Sequence, residues 1–162
     1  MVGAWLAIRG VRRTYDRLNR RDLDGFLAAW AADASFEFPG DVWASGRFQG
    51  SHELRAWFAR FLAAFPGLRF TLTRVAVARP WALGAANELL VEWTIDLENR
   101  TGERLRNQGV TSIVLRRAKV AAARDFIADT GPRFRTIWGE APPDALVAPA
   151  LASPSAPTPG RA

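Results

Sequence analysis

The sequence predicts an α+β domain, with helices first and then a meander of long strands on which they pack. Three observations carry this expectation. Up to Phe65, apolar residues recur at helical spacing. From Leu68 onward, they alternate with polar ones. The connections between the later segments are short, so those strands should pair antiparallel as neighbours.

The elements follow in order. Leu6, Val11, Tyr15 and Leu18 fall near helical spacing, and Asn19-Arg20-Arg21 breaks the pattern. Asp22 is a good N-cap for a second, shorter helix that would bury Leu23, Phe26, Leu27 and Trp30. Ala34 to Phe38 reads as a short strand stopped by Pro39-Gly40, and Arg47-Phe48-Gln49 as another. Ser51 is expected to cap a third helix with Leu54, Trp57, Phe58, Phe61 and Phe65 on its apolar side, ended by Pro66-Gly67. Strands are expected over 68–77, 89–97, 104–116 and 120–128, with turns at Asn99-Arg100-Thr101-Gly102 and Arg117-Ala118-Lys119. Gly109 interrupts the third of these and would mark a bulge or bend.

Composition narrows the function classes. The chain has 162 residues, 49% hydrophobic and 23% charged, which suits one globular domain. With no cysteine, there is no disulfide framework, thiolate metal site or cysteine nucleophile. The one histidine, His52, rules out a His-rich zinc site. No apolar run approaches the roughly 18 to 20 residues of a membrane span, and the N-terminal segment has the wrong order for a secretory signal, so a cytoplasmic protein is expected. The net charge of +6 comes from dispersed arginines with no long basic run, which argues against nucleic-acid binding. Residues 141–162 hold six of the ten prolines and are expected to form a disordered tail behind a domain of residues 1–140.

Three stretches carry a resemblance: LNRRDLDGFLAAWAADASFEFPG at 18–40, FQGSHELRAWFARFLAAFPG at 48–67 and AARDFIAD at 122–129. In this order, they resemble the nuclear-transport-factor-2-like superfamily and, within it, the SnoaL-like and ketosteroid-isomerase-like proteins. The resemblance implies a cone-shaped fold, in which three N-terminal helices pack on a strongly curved, mainly antiparallel sheet that encloses one apolar pocket. It is weaker on chemistry, since the fold hosts isomerases, cyclases, epoxide hydrolases, dehydratases and binding domains. Where ketosteroid isomerases place a tyrosine donor, this chain has Thr14 with Tyr15 beside it, Phe38 stands at the general-base position, and their second acid falls near Val110 or Thr111. Of the epoxide-hydrolase triad, the resemblance aligns Glu92 and Thr94 with two members and Asp125 with the third, while Phe36 and Phe38 replace the water-positioning residues. Arg124-Asp125-Phe126 matches the stretch that carries the single aspartate of SnoaL-type polyketide cyclases, whose pocket histidine is Thr111 here.

Each candidate has a functional and a structural reading. Asp125 is either a desolvated proton shuttle or a solvated strand residue. Strand alternation turns Arg124 to the other face. On the strand 89–97, alternation alone puts Leu89, Val91, Trp93, Ile95 and Leu97 on the core. The resemblance implies the reverse, with Glu92 and Thr94 in the pocket beside Asp125, a coupled carboxylate pair, and the Trp93 face covered by a second copy in a homodimer. Asn107 and Thr111 share parity and would either bind a substrate oxygen or serve as polar strand residues. Tyr15 is a donor at the pocket or a packing residue. Phe38 and Trp57 are pocket walls or core, and His52 is a surface helix residue. Phosphate-loop, Ser-His-Asp and metal-ligand patterns are not found. The expectation is cofactor-independent acid/base chemistry, namely cyclisation, isomerisation or dehydration, on a hydrophobic polycyclic or terpenoid-type molecule. The alternatives are a non-catalytic binding or assembly module and an epoxide hydrolase with a divergent site.

Overall fold

The computed structural model describes residues 2–81, 86–140 and 142. The element order is α1 (Val2–Asn19), α2 (Leu23–Leu27), β1 (Trp30–Phe38), β2 (Gly46–Gln49), α3 (Gly50–Ala64), β3 (Arg69–Val77), β4 (Asn87–Glu98), β5 (Arg104–Arg116), β6 (Lys119–Ile127) and α4 (Pro132–Trp138). The strands form one curved, unclosed sheet in the order β2-β1-β6-β5-β4-β3. Neighbours are antiparallel except β1 and β6, which run parallel. This is the mixed α+β architecture anticipated from the helix-then-strand order. The tail expected from residue 141 falls outside the described residues, apart from Pro142.

The local chemistry explains the boundaries. Asp22 caps α2 as expected, its carboxylate accepting from the Gly25 N–H at 2.8 Å. Trp30, expected on that helix, instead opens β1. At the start of α3, Ser51 is not the cap. The helix begins at Gly50 with Gln49 in the cap position, two residues before Ser51, and the side chain of Glu53 in the first turn reaches back to accept from the Gln49 N–H at 2.7 Å. The apolar side of α3 is buried as its spacing requires: Leu54, Trp57, Phe58 and Phe61 face the sheet, and Phe65 follows at the C-cap. The guanidinium of Arg21 donates to the carbonyls of Leu62, Phe65 and Pro66, covering acceptors that the end of α3 leaves open.

Two features set the inner face of the sheet. On β4, alternate residues from Leu89 to Leu97 are buried and their neighbours point out. Alternation was therefore the correct guide, and the reversed placement implied by the resemblance is overturned. Trp93 lies under the chain's own helices and strands, leaving no exposed Trp93 face for a second copy to cover. Gly109 is not a bulge, because the register shifts lie elsewhere. It sits opposite Trp93, and a Cβ there would come within 2.6 Å of the indole and 2.5 Å of the Phe126 carbonyl oxygen. Glycine lets the indole approach the strand this closely.

Candidate functional site

The inner face of the sheet and helices α1, α2, α3 and α4 line a cavity open at one mouth, with about 840 Å³ of empty space when the solvent in that mouth is included. Its walls are largely aromatic: Phe36 and Phe38 of β1, Trp57 and Phe61 of α3, Phe70 of β3 and Trp138 of α4. Polar groups enter at few points, which are Thr14, Tyr15, Asn107, Thr111 and Asp125. A pocket that is mostly apolar with a few convergent polar groups suits a small organic molecule.

The polar centre follows from strand register. Thr111 on β5 and Asp125 on β6 are direct partners, and both side chains turn inward. The Thr111 hydroxyl donates to Asp125 Oδ1 at 2.6 Å. Trp93 Nε1 donates to Thr111 Oγ1 at 2.8 Å, and the Tyr15 hydroxyl lies 3.0 Å from the same oxygen. Tyr15 is fixed from its own helix. One turn later, Asn19 bonds the Phe70 backbone at both its amide groups, at 2.9 and 2.8 Å, and Tyr15 packs edge-on against the Phe70 ring. Thr111 is only 5% exposed.

The electrostatics of this centre are unusual for an acid. Asp125 is half-buried: part of its surface opens on the cavity and the rest is packed in protein. Burial pushes its pKa from 3.8 up to about 7, and the Thr111 hydrogen bond only partly offsets that. No cation compensates, since Arg124 points outward, where it pairs with Glu37 at 3.1 Å and lies over the Phe126 ring. Burial, and then the nearby Asp125 charge, hold the Tyr15 hydroxyl well above the usual tyrosine range, against the Thr111 hydrogen bond. Near neutral pH, Asp125 is therefore present in both its acid and base forms.

The remaining sequence candidates divide sharply. Phe38 and Trp57 are walls of the cavity, and the Trp57 N–H is committed to the Ala44 carbonyl at 2.8 Å. Asn107 lines the cavity, but its amide is engaged by backbone, donating to the Asp129 carbonyl at 2.7 Å and accepting from the Gln108 N–H at 2.8 Å. Glu92 and Thr94 are not in the pocket, because they sit on the outer parity of β4. Glu92 faces Arg74 at 3.7 Å, so the carboxylate pair with Asp125 does not form. This also removes two of the three positions aligned with the epoxide hydrolases. His52 is exposed on α3. Trp93 was not a candidate, and only the alternation of β4 pointed it inward. The α4 contribution, Phe134 and Trp138, was missed although Pro132 and Gly139 bracket it. Two buried indole N–H groups in the cavity wall, those of Trp30 and Trp138, have no hydrogen-bond partner among the described residues. Among those residues, no group of three or more acidic or histidine side chains could hold a metal ion, and no helix is long and apolar enough to cross a membrane.

The family model described as the SnoaL-like domain matches residues 11–123. No curated protein matches the chain by sequence. Solved structures are similar in fold. Bal32a, from a soil-derived mobile gene cassette, is 19% identical, with a TM-score of 0.71 over 85% of this chain and 99% of its own. An NTF2-like protein of unknown function from Burkholderia pseudomallei is 21% identical, with a TM-score of 0.69 over 82% of this chain and 98% of its own. RV0760c from Mycobacterium tuberculosis, solved in complex with estradiol-17beta-hemisuccinate, is 19% identical, with a TM-score of 0.64 over 74% of this chain and 92% of its own.

Proposed function

The chain belongs to the SnoaL-like family, and from that premise we propose that it is a cofactor-independent enzyme of acid/base chemistry, with Asp125 as its proton shuttle. The substrate class is an apolar polycyclic or terpenoid-sized molecule bearing at least one oxygen function. The reaction is an intramolecular cyclisation, an isomerisation or a dehydration. The carrying observation is the single carboxyl group, poised near neutral pH and without a cation, in an aromatic cavity.

The chemistry follows from the protonation states. A carboxylate of ordinary pKa is a weak base at pH 7, whereas one near 7 can take a proton from a carbon next to a carbonyl and return it elsewhere. Thr111 holds Asp125 Oδ1, and Oδ2 has no protein hydrogen bond among the described residues. That leaves one oxygen free for the substrate. The aromatic walls would exclude water and stack on a flat ligand. The steroid conjugate bound by RV0760c is a ligand of the proposed class on a similar fold.

Anthrone and 2-tetralone, ketones with acidic CH₂ groups, supply a test that needs no knowledge of the natural substrate. Incorporation of deuterium from D₂O, followed by mass spectrometry, should be accelerated by roughly 10²-fold or more with the wild-type protein. It should fall to background with Asp125→Asn. Equal exchange by the two proteins would end the assignment. The second reading, a binding module of the same fold, is favoured by Phe38 at the general-base position of the isomerases. It predicts that both proteins bind such ketones and that neither exchanges them.

A further inference from the structure

The hydrogen bonds around Thr111 have a fixed sense. An indole N–H can only donate, so Trp93 takes one lone pair of Thr111 Oγ1. When Asp125 is ionised, it can only accept, so the single Thr111 proton points to Asp125 Oδ1. The remaining Thr111 lone pair then receives the proton of the Tyr15 hydroxyl, at 3.0 Å. Thr111 is saturated, and Tyr15 Oη presents only lone pairs to anything else. When Oδ1 carries a proton, each step reverses. Asp125 donates to Thr111, Thr111 donates to Tyr15, and the Tyr15 proton is released towards a ligand. Trp93 holds its place in both states.

We propose that Asp125 exchanges a proton with a bound ligand through Thr111, and that the hydroxyl of Tyr15 is where this proton enters or leaves. The inference rests on the reading of Asp125 as the proton-exchanging group. In the forward direction, a ligand hydroxyl gives its proton to Tyr15 Oη, the Tyr15 proton passes to Thr111 Oγ1, and the Thr111 proton passes to Asp125 Oδ1. Three O–H bonds break and three form, the ligand becomes an oxyanion, and Asp125 becomes neutral. Tyr15 never ionises, which suits a phenol whose burial holds it in the neutral form. Asp125 thus works at two points: directly through Oδ2, and at a distance through Tyr15. A ligand carbon and a ligand oxygen can be served by the same carboxyl group, as proton transfer between the carbon and oxygen of a ketone and its enol requires.

Few groups compete with this chain. The cavity is lined from α1, α2, β1, α3, β3, β4, β5, β6 and α4, and among the described lining residues Tyr15 and Asp125 are the only titratable side chains. Asp125 has no cation against it, and the nearest basic neighbour in sequence, Arg124, is on the outer face.

Tyr15 is the only tyrosine in the chain, so a protein labelled with ¹³Cζ-tyrosine gives one signal. The full chain is titrated from pH 4 to pH 9 without ligand, with the aspartate ¹³Cγ signals followed in parallel. The Tyr15 signal should move with the same midpoint as Asp125 and stay still in Asp125→Asn. In Thr111→Val, the movement should shrink at least fivefold while Asp125 still titrates, and Thr111→Ser should restore it. Thr111→Ala serves in place of the valine variant if the latter does not fold. A Tyr15 signal that stays still while wild-type Asp125 titrates near 7 overturns the relay and leaves the proposed function standing. Movement as large in Thr111→Val or Thr111→Ala as in wild type also overturns it, because the field of the charge would then act without the hydroxyl. An Asp125 midpoint near 4 takes away the proposed function as well.

Discussion

The two faces of the sheet treat acidic residues in opposite ways. On the outer face, each of several carboxylates has an arginine: Glu92 with Arg74, Asp96 with Arg106, Glu98 with Arg104 and Glu37 with Arg124. These pairs are half-exposed, and each contributes about 0–1 kcal/mol. On the inner face, Asp125 has a hydroxyl and no cation. Arg124 and Asp125 are consecutive, so a step of one residue along β6 separates an ordinary ion pair from an acid poised near pH 7. Strand parity decides which acid pairs with an arginine on the surface and which is turned to the cavity, and neither residue type nor closeness in sequence could have made that distinction.

The largest expected effect tests whether the inner acid weakens the fold. A carboxyl group raised from 3.8 to about 7 keeps its proton in the folded protein where the unfolded chain has already lost it. Stability therefore falls as pH rises from about 4 to about 7, and the full cost remains above that, at about 4 kcal/mol. Asp125→Asn avoids this cost. In urea unfolding, it should be more stable than wild type at pH 8 by up to about 4 kcal/mol, with the gap closing at pH 4. An equal difference at both pH values would mean that burial does not raise the pKa of the Asp125 carboxyl.

Next comes the packing that separates the faces. Gly109→Ala puts a methyl group against the Trp93 ring and against backbone that cannot yield, so it should cost about 1–3 kcal/mol by thermal or urea unfolding. A neutral result would show that the indole does not sit this close to β5. The smallest effect belongs outside. Glu92→Gln should change stability by less than about 0.5 kcal/mol and leave ketone exchange as in wild type. A clear loss of exchange would bring Glu92 back to the site and undo the contrast between the faces.

Much of the architecture was legible because its signals are local. The Asp22 cap, the α3 stripe and the period-two strands each announce themselves within a few residues. The parallel pairing of β1 with β6 does not, because it joins segments about 90 residues apart whose contact exists only in the folded sheet. Helix α4 escaped notice because seven residues give barely two turns of periodicity, although its Pro132 and Gly139 ends and the Phe134, Ile137 and Trp138 spacing were present. At the site, Asp125, Thr111 and Tyr15 were all named, but as separate candidates. Their meeting depends on the β5–β6 register and on the angle of α1. The resemblance misplaces Glu92, against the alternation of its own strand, whose every second residue is apolar.

The most direct measurement is the carboxyl ¹³C titration of Asp125, assigned by comparison with Asp125→Asn. A midpoint near 7 is the result this structure requires. A midpoint near 4, the ordinary value of an aspartate in water, would contradict it.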